Sequence, residues 1–218
     1  DPVFAVNAPY ARGTTWLWRA LFPAAPQHME AGIARYTPDQ HRIPVFRMGQ
    51  DPGVACRIYA ARALWLLGYP DQALARVHEA LALAHELSHP FSLAFAQCIA
   101  ASVSQWRRDV LSVHEQAEAA VMLATEQDFP FWIAQGTSLR GWALAMQGQG
   151  EAGLAQVRQG ITALQAIGMA LYAPNYCTVL AEVSAHLGHT ADGLQALAEA
   201  HTLMEQHEER YWEAEVCR

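Results

Sequence analysis

An all-α solenoid built from antiparallel helix pairs is the fold that the sequence predicts, and three observations support this prediction. The chain repeats with a period of 40 residues, apolar residues recur at helical spacing within each repeat, and the richness in alanine favours closely packed helices over strands. The 218 residues are 52% apolar and 16% charged, a composition typical of a globular chain. This length suits one domain or two small ones.

The repeat is visible in four columns of equivalent positions spaced 40 residues apart. One column is mostly glycine, two contain only small residues, and the fourth is mostly aromatic. Chance would seldom produce all four columns together, so we interpret the period as a structural unit. The columns are Gly68, Arg108, Gly148 and Gly188; Ala61, Ala101, Gly141 and Ala181; Ala80, Ala120, Gly160 and Ala200; and Phe91, Phe131, Leu171 and Tyr211.

The first fifty residues are less regular than the rest of the chain. We expect an imperfect helix pair at about residues 14–21 and 26–36, followed by a longer loop through residues 37–51, where prolines and glycines mark turns. Residues 1–50 are therefore predicted to form an irregular N-terminal segment. The chain does not begin with methionine, and we expect it to be part of a longer protein.

Residues 51–218 are predicted to form four helix-pair repeats and the start of a fifth. The glycine column ends the first helix of each pair, because glycine tolerates a positive φ, and Pro90 and Pro130 end second helices. In the second helices the apolar residues follow the i, i+3, i+4, i+7 spacing of a single face. The repeats span residues 51–90, 91–130, 131–170 and 171–210, with helices at 52–67, 71–88, 91–106, 110–127, 131–147, 151–167, 171–187 and 191–207, and a further first helix from Tyr211.

Small residues at fixed helix positions, with a glycine between paired helices, make the chain resemble a tetratricopeptide-type repeat lengthened from about 34 to 40 residues. The segments GQDPGV, ALWLLGYPDQAL, SHPFS, FW and RGWAL, which begin at residues 49, 63, 88, 131 and 140, resemble a more particular family. It is the C-terminal helical-repeat region of large bacterial signalling proteins that join an AAA-type ATPase module to a nucleotidyl cyclase or similar output. The resemblance covers about residues 28–218. It implies a regulatory or interaction module without activity of its own.

Composition excludes several functional classes. Lysine is absent, which removes phosphate-binding loops with a lysine and Schiff-base chemistry. The net charge of −7 argues against a nucleic-acid binder, and no apolar run is long enough to span a membrane. We expect no cofactor. The four cysteines form no CxxC pair and are expected to be reduced thiols, which predicts a cytoplasmic location. They are Cys56, Cys98, Cys177 and Cys217.

A five-residue run from His85 to His89 matches the H-E-x-x-H pattern of zinc hydrolases, in which Glu86 would activate a water. Two features oppose this interpretation. Pro90 follows at once, so the two histidines need not share a helix face, and no third ligand stands at a recognised spacing. We predict no metal site, with zinc held by His85 and His89 as the alternative.

The first helices of such repeats line the concave face of a right-handed superhelix. If the small column marks the packed side, a set of tryptophans, polar residues and one arginine faces this groove and suits a peptide or an amphipathic ligand. The alternative is that several of these tryptophans lie in the core between repeats. The candidate binding residues are Arg62, Trp65, Gln105, Trp106, Gln135, Trp142, Asn175 and Glu182, with Ser138 and Thr178 beside them.

Three functions are therefore open. The first is a non-catalytic scaffold that binds a protein or peptide segment, or the missing domains of its own protein. The second is a sensor whose groove binds a small effector, and the third is the zinc-dependent hydrolase. The sequence favours the scaffold, because no catalytic constellation is complete. Self-association is also expected through apolar residues at the C-terminal end of the stack, namely Leu194, Leu197 and Met204.

Overall fold

The computed structural model describes residues 2–38 and 49–217, and within these ranges every regular element is a helix. Two short 3-10 helices, Phe22–Ala24 and Ala170–Tyr172, accompany the α-helices, so the predicted all-α repeat fold is confirmed. The helices are α1 Pro2–Trp18, α2 Ala25–Arg35, α3 Pro52–Leu66, α4 Pro70–Leu87, α5 Pro90–Trp106, α6 Val110–Glu126, α7 Pro130–Met146, α8 Gly150–Ala166, α9 Ala173–His186, α10 Thr190–Gln206 and α11 Glu213–Cys217.

The chain divides into two compact units, Asp1–Val103 and Ser104–Arg218, and the division falls inside α5. In the first unit α1 packs on α2, α2 on α3, and α3 on α4. In the second unit α6 packs on α7, α7 on α8, and α9 on α10. Helices that follow each other along the chain are therefore neighbours in space within each unit. None of the described helices is long and apolar enough to cross a membrane.

The N-terminal helix corrects the sequence prediction. Helix α1 begins at Pro2 rather than near residue 14, although it contains Pro9 and Gly13, which destabilise an isolated helix. Packing outweighs this cost: Pro9 and Gly13 are buried, and a Cβ on Gly13 would lie 2.6 Å from Cε of Met29 in α2. Most of the loop predicted for residues 37–51 lies outside the described residues.

A residue with left-handed backbone closes each helix from α3 to α10, at intervals of 20 residues. In the turn after α5, for example, the Arg108 amide donates to the Gln105 carbonyl and the Asp109 amide to the Ser104 carbonyl, each at 3.0 Å. This pair of bonds is the Schellman motif, which satisfies carbonyls at the helix end. Half of the closing residues are not glycine. In order they are Gly68, Ser88, Arg108, Asp128, Gly148, Gly168, Gly188 and Glu208.

The small-residue columns allow paired helices to approach closely, as predicted. In the second unit a Cβ on Gly153 of α8 would lie 2.5 Å from the carbonyl oxygen of Gly141 in α7. A Cβ on Gly160 would lie 2.6 Å from the Ala134 carbonyl oxygen. Real Cβ atoms do not approach backbone this closely, so α7 and α8 are held in backbone contact along their length.

A buried hydrogen-bond junction joins three helix ends in the first unit. Asp51, which is 0% exposed, caps α3 by accepting from the Val54 amide at 2.9 Å. The Tyr36 hydroxyl, just beyond the end of α2, donates to the second carboxylate oxygen of Asp51 at 2.9 Å. The Asp51 amide in turn donates to Oγ of Ser92 in α5 at 2.8 Å. Burial raises the pKa of Asp51 and raises that of the Tyr36 phenol well above its usual range.

The closing turns yield a first prediction. Replacing Asp128, whose φ is 54°, with glycine should stabilise the protein by about 0.5–1 kcal/mol. Glycine adopts left-handed backbone without a steric cost, and the change also removes a negative charge from the negative end of the α6 dipole. Chemical denaturation of Asp128→Gly measures the effect. The matched control, Glu126→Gly inside the last turn of α6, should destabilise by a similar amount, and equal effects from both variants would contradict the interpretation.

The buried cap yields a second prediction. Asp51→Ala should lower the free energy of unfolding by about 2–4 kcal/mol, because the Val54 amide and the Tyr36 hydroxyl both lose their acceptor in a buried site. The control is Asp109→Ala, which removes the exposed cap of α6 that accepts from the Ser112 amide at 3.2 Å. That variant should lose only about 0.5–1 kcal/mol. Denaturant titration of both variants would contradict the proposed role of burial if the two losses were equal.

Candidate functional site

A cavity of about 280 Å³ opens in the second unit between α9, α10, α11 and the C-terminal end of α5. Its apolar wall is formed by Trp106, Leu194, Leu197 and Val216. Leu194 is 63% exposed, which is high for a leucine beside a cavity. A concave surface with exposed aliphatic groups is a suitable place for an apolar ligand group.

Aromatic packing and close backbone contact hold this cavity in shape. Trp106 packs edge-on against Trp212, with ring centroids 6.5 Å apart at an angle of 61°. The Trp212 indole nitrogen donates to the Leu171 carbonyl at 3.2 Å, which fixes the orientation of its ring. On the opposite side a Cβ on Gly193 would lie 3.1 Å from the Ala181 carbonyl oxygen. Helix α10 therefore lies directly against α9 beneath the cavity.

The polar rim is organised around Glu182 on α9. Gln105 Nε2 donates to Glu182 Oε2 at 3.0 Å, and the Arg108 guanidinium forms an ion pair with Glu182 Oε1. The Gln105 side chain is nearly buried, whereas half of the Arg108 side chain is exposed to solvent. Thr178 stands one turn before Glu182, and Glu215 contributes a second carboxylate from α11. The cavity thus joins an apolar wall to a charged, hydrogen-bonding rim.

The structure brings together some of the residues predicted to bind. Gln105, Trp106, Glu182 and Thr178 all line the cavity. Three further candidates, Gln135, Trp142 and Asn175, are buried in the core of the second unit at 2%, 1% and 5% exposure. Gln135 and Trp142 are covered because α7 is packed by α6, α8 and α9 at once. Ser138 is likewise fully buried, since α8 approaches it at Gly160.

The remaining two predicted binding residues lie in the first unit and do not line this cavity. Arg62 is 1% exposed, and its guanidinium carbon lies 5.0 Å from the ring centroid of Trp18 and 5.9 Å from that of Tyr59. This geometry is a cation–π arrangement, which stabilises a buried arginine. Trp65 is half-buried. Arg62 therefore contributes to packing in the first unit.

The sequence analysis missed several residues of the cavity. These residues, Arg108, Glu215 and Val216, lie just after a helix or in the short last helix. There the repeat pattern does not predict which side chains face a neighbouring helix. The one available signal was Arg108, which replaces glycine in the column that closes the first helices. Among the residues predicted to drive self-association, Met204 is buried and Leu197 is half-buried. Leu194 remains exposed, so self-association through this face stays a prediction that now rests on Leu194.

The H-E-x-x-H run does not assemble a zinc site. Ser88 closes α4 with a φ of 51° and turns the chain between the two histidines. His85 and Glu86 are exposed, while His89 Nδ1 accepts from the Ser92 amide at 3.3 Å and lies 2.9 Å from Ser92 Oγ. His89 therefore acts as the cap of α5. In residues 2–38 and 49–217 no group of three His, Cys, Asp or Glu side chains is placed to hold a metal ion.

Solved structures of low sequence identity share this fold. No protein-family model and no curated protein sequence matches the chain. It is similar to a Rap protein complexed with competence and sporulation factor (TM-score 0.66, 15% identity, 95% of this chain) and to Bacillus thuringiensis PlcR in complex with the peptide PapR7 and DNA (TM-score 0.70, 10% identity, 96% of this chain). It is also similar to a putative kinesin light chain from Podosopora anserina with tetratricopeptide-like repeats (TM-score 0.60, 13% identity, 95% of this chain).

This chain covers a different share of the length of each of these solved structures. This chain spans 60% of the length of the Rap protein, 73% of PlcR and 98% of the kinesin light chain structure. At identities of 10–15% these similarities establish a tetratricopeptide-like repeat fold. They do not transfer the ligands of those proteins to this chain.

The His89 cap yields a third prediction, on the pH dependence of stability. Burial lowers the pKa of His89, although the nearby Asp51 carboxylate acts in the opposite direction. Above the unfolded pKa of about 6.5 both states hold a neutral ring, and the stabilisation by the cap is complete. As the pH falls below about 6.5 the unfolded chain binds the proton first, so the free energy of unfolding decreases.

The control for this prediction is His89→Asn, because asparagine also caps helices but does not titrate. Both proteins keep the Asp51 carboxyl, so the difference between them reports the imidazole together with its charge interaction with Asp51. Denaturant unfolding between about pH 8 and pH 5 should show a larger loss of stability for the wild type than for His89→Asn. Parallel curves would contradict the assignment of His89 as a neutral, capping histidine.

Proposed function

We propose that the chain is a non-catalytic helical-repeat module that binds a peptide or protein segment in the cavity of its second unit. The observation that carries the proposal is the juxtaposition of the exposed Leu194 with a cavity of about 280 Å³ whose rim offers hydrogen-bonding groups. This cavity lies near the lower end of the ~300–1,000 Å³ range of ligand pockets. It therefore suits one or two side chains of a segment whose remainder runs over the surface.

The chemistry of the walls supports the same assignment. Leu194 and the half-buried Leu197 offer an apolar surface for an anchoring side chain, and the nearly buried Trp106 lines the wall beside them. Contacts of this type dominate binding energy at interfaces. Gln105 and Thr178 offer side-chain groups to the polar backbone of a bound segment. Fold neighbours that were solved with a factor or a peptide are consistent with this function, although their identity to this chain is low.

A small-effector sensor is the second candidate, and the same cavity favours it. Its volume would admit a ligand of modest size, and its charged rim would orient that ligand. We rank it below peptide binding because the exposed face of Leu194 extends the apolar surface beyond the cavity. The zinc-hydrolase alternative has no support in the geometry, since His89 is committed to the cap of α5.

The cellular setting is part of the proposal. We propose a bacterial signalling protein of the cytoplasm, in which this module regulates domains of the same protein or recruits a partner. The resemblance to the repeat regions of ATPase–cyclase signalling proteins supports this setting. Cys56, Cys98 and Cys177 are buried and form no disulfide among the described residues, which is consistent with a reducing compartment. Burial raises the pKa of Cys56 and Cys177 to about 12, so these thiols are unreactive.

The fourth prediction tests peptide binding. Random seven-residue peptides displayed on phage are selected against the full chain, and the dissociation constants of the best sequences are measured by fluorescence anisotropy. Leu194→Asn should raise these constants at least about tenfold, because it places a polar amide in the apolar wall without changing the charge of the cavity. Light scattering on the same variant tests whether self-association depends on Leu194.

The matched control is Leu111→Asn, on α6 of the same unit. Leu111 is 76% exposed and does not line the cavity, so its replacement should change the dissociation constants less than about twofold. Failure to select any peptide would contradict the proposal. So would an equal loss of binding in the two variants, because the site would then lie elsewhere.

A further inference from the structure

The described residues that line the cavity carry an excess of negative charge. Among them the ionisable side chains are the carboxylates of Glu182 and Glu215 and the guanidinium of Arg108. The carboxylates reach the cavity from different helices, α9 and α11, so they approach a bound group from two sides. The chain as a whole has a net charge of −7, which also favours the approach of cations.

Arg108 is the one departure from glycine among the residues that close the first helices of the four repeats. The φ values are 84° at Gly68, 91° at Gly148 and 80° at Gly188. Arg108 adopts the same left-handed region, with a φ of 63°. This position therefore carries a side chain where glycine fits the backbone better. The side chain reaches Glu182 at the rim of the cavity.

In the ion pair between Arg108 and Glu182, another cation can take the place of Arg108. Glu182 is held by the nearly buried Gln105, which donates to Oε2 at 3.0 Å, and only 21% of its side chain is exposed. The Arg108 side chain is 50% exposed and long, so it can leave Glu182 for water at little cost. A cationic group of a ligand entering the cavity would meet the same carboxylate with less solvent around it.

We infer that the cavity selects a segment with a basic side chain next to an aliphatic or aromatic one, and that the basic group takes the place of Arg108 on Glu182. This inference rests on the proposed peptide-binding function and names the class of its ligand. The apolar side chain lies against Trp106 and Leu197, and the guanidinium or ammonium group lies between Glu182 and Glu215. Arg108 acts as a resident competitor that occupies the carboxylate in the free protein.

Three capped dipeptides provide the probes: acetyl-leucyl-arginine amide, its uncharged citrulline analogue, and acetyl-leucyl-glutamate amide. They are titrated into the full chain at low salt while NMR records the methyl signals of Leu194, Leu197 and Val216. The arginine probe should bind about fivefold more tightly than the citrulline probe, and the glutamate probe should bind most weakly. Added salt should reduce the preference for arginine.

Two variants test which residues cause the preference for the arginine probe over the citrulline probe. Glu182→Gln should reduce it below about twofold, while the control Glu126→Gln, which removes the same charge from an exposed position outside the cavity, should leave it unchanged. Arg108→Gly restores the glycine of the repeat and removes the competitor. It should therefore tighten binding of the arginine probe by about threefold while the melting temperature is maintained or raised.

The outcomes separate this inference from the function on which it rests. Equal binding of the three probes at the three methyl groups would overturn the basic preference and leave peptide binding intact. Tighter binding of the glutamate probe, lost in Arg108→Gly, would overturn it in favour of an acidic ligand. If no probe shifts these methyl signals and no displayed peptide binds, the proposed function itself fails.

Discussion

The left-handed residue at each helix end is the constraint on which the rest of the architecture depends. It stops every helix from α3 to α10 at a fixed interval of 20 residues, so most of these helices have 17 residues. With length fixed, equivalent positions meet in successive helix pairs of the second unit, as Gly193 meets Ala181 where Gly153 meets Gly141. One extra residue would rotate a helix face by about 100° and move a bulky side chain into the place of a small one. The backbone contacts of Gly141 with Gly153, and of Gly160 with Ala134, exist because this register is kept.

Much of this architecture could be predicted from the sequence, because it depends on periodicity. The repeat placed α3 to α8 and α10 to within about one residue at each end, although half of the closing residues are not glycine. The prediction was wrong for α1, where contact with α2 outweighs the effects of Pro9 and Gly13. Local sequence preferences describe an isolated segment, whereas this helix is stabilised by its neighbour.

The candidate site was less predictable, because periodicity defines the face of a helix but not the depth at which neighbours cover it. Trp106 and Trp142 were predicted to face the same groove, and both are buried, at 6% and 1% exposure, yet only Trp106 borders the cavity. The difference arises from what packs around each helix, which no single helix sequence contains. His89 shows that a motif is limited in the same way. Its spacing from His85 suits zinc, but its ring accepts a hydrogen bond from the Ser92 amide because His89 stands at the start of α5.

Within each repeat, some positions keep one kind of residue because the packing of paired helices requires it. Other positions differ in size and charge from repeat to repeat. The column of Ala61, Ala101, Gly141 and Ala181 stays small, since a larger side chain there would push paired helices apart. The next position in each repeat holds Arg62, Ser102, Trp142 and Glu182, which share neither size nor charge. Arg62 is enclosed by aromatic rings in the first unit, and Glu182 stands at the rim of a cavity in the second. Because the same backbone supports such different side chains, the chemistry of this column is set independently of the fold. The side chain at Glu182 can therefore change while the close contact of paired helices, which depends on the small residue beside it, is kept.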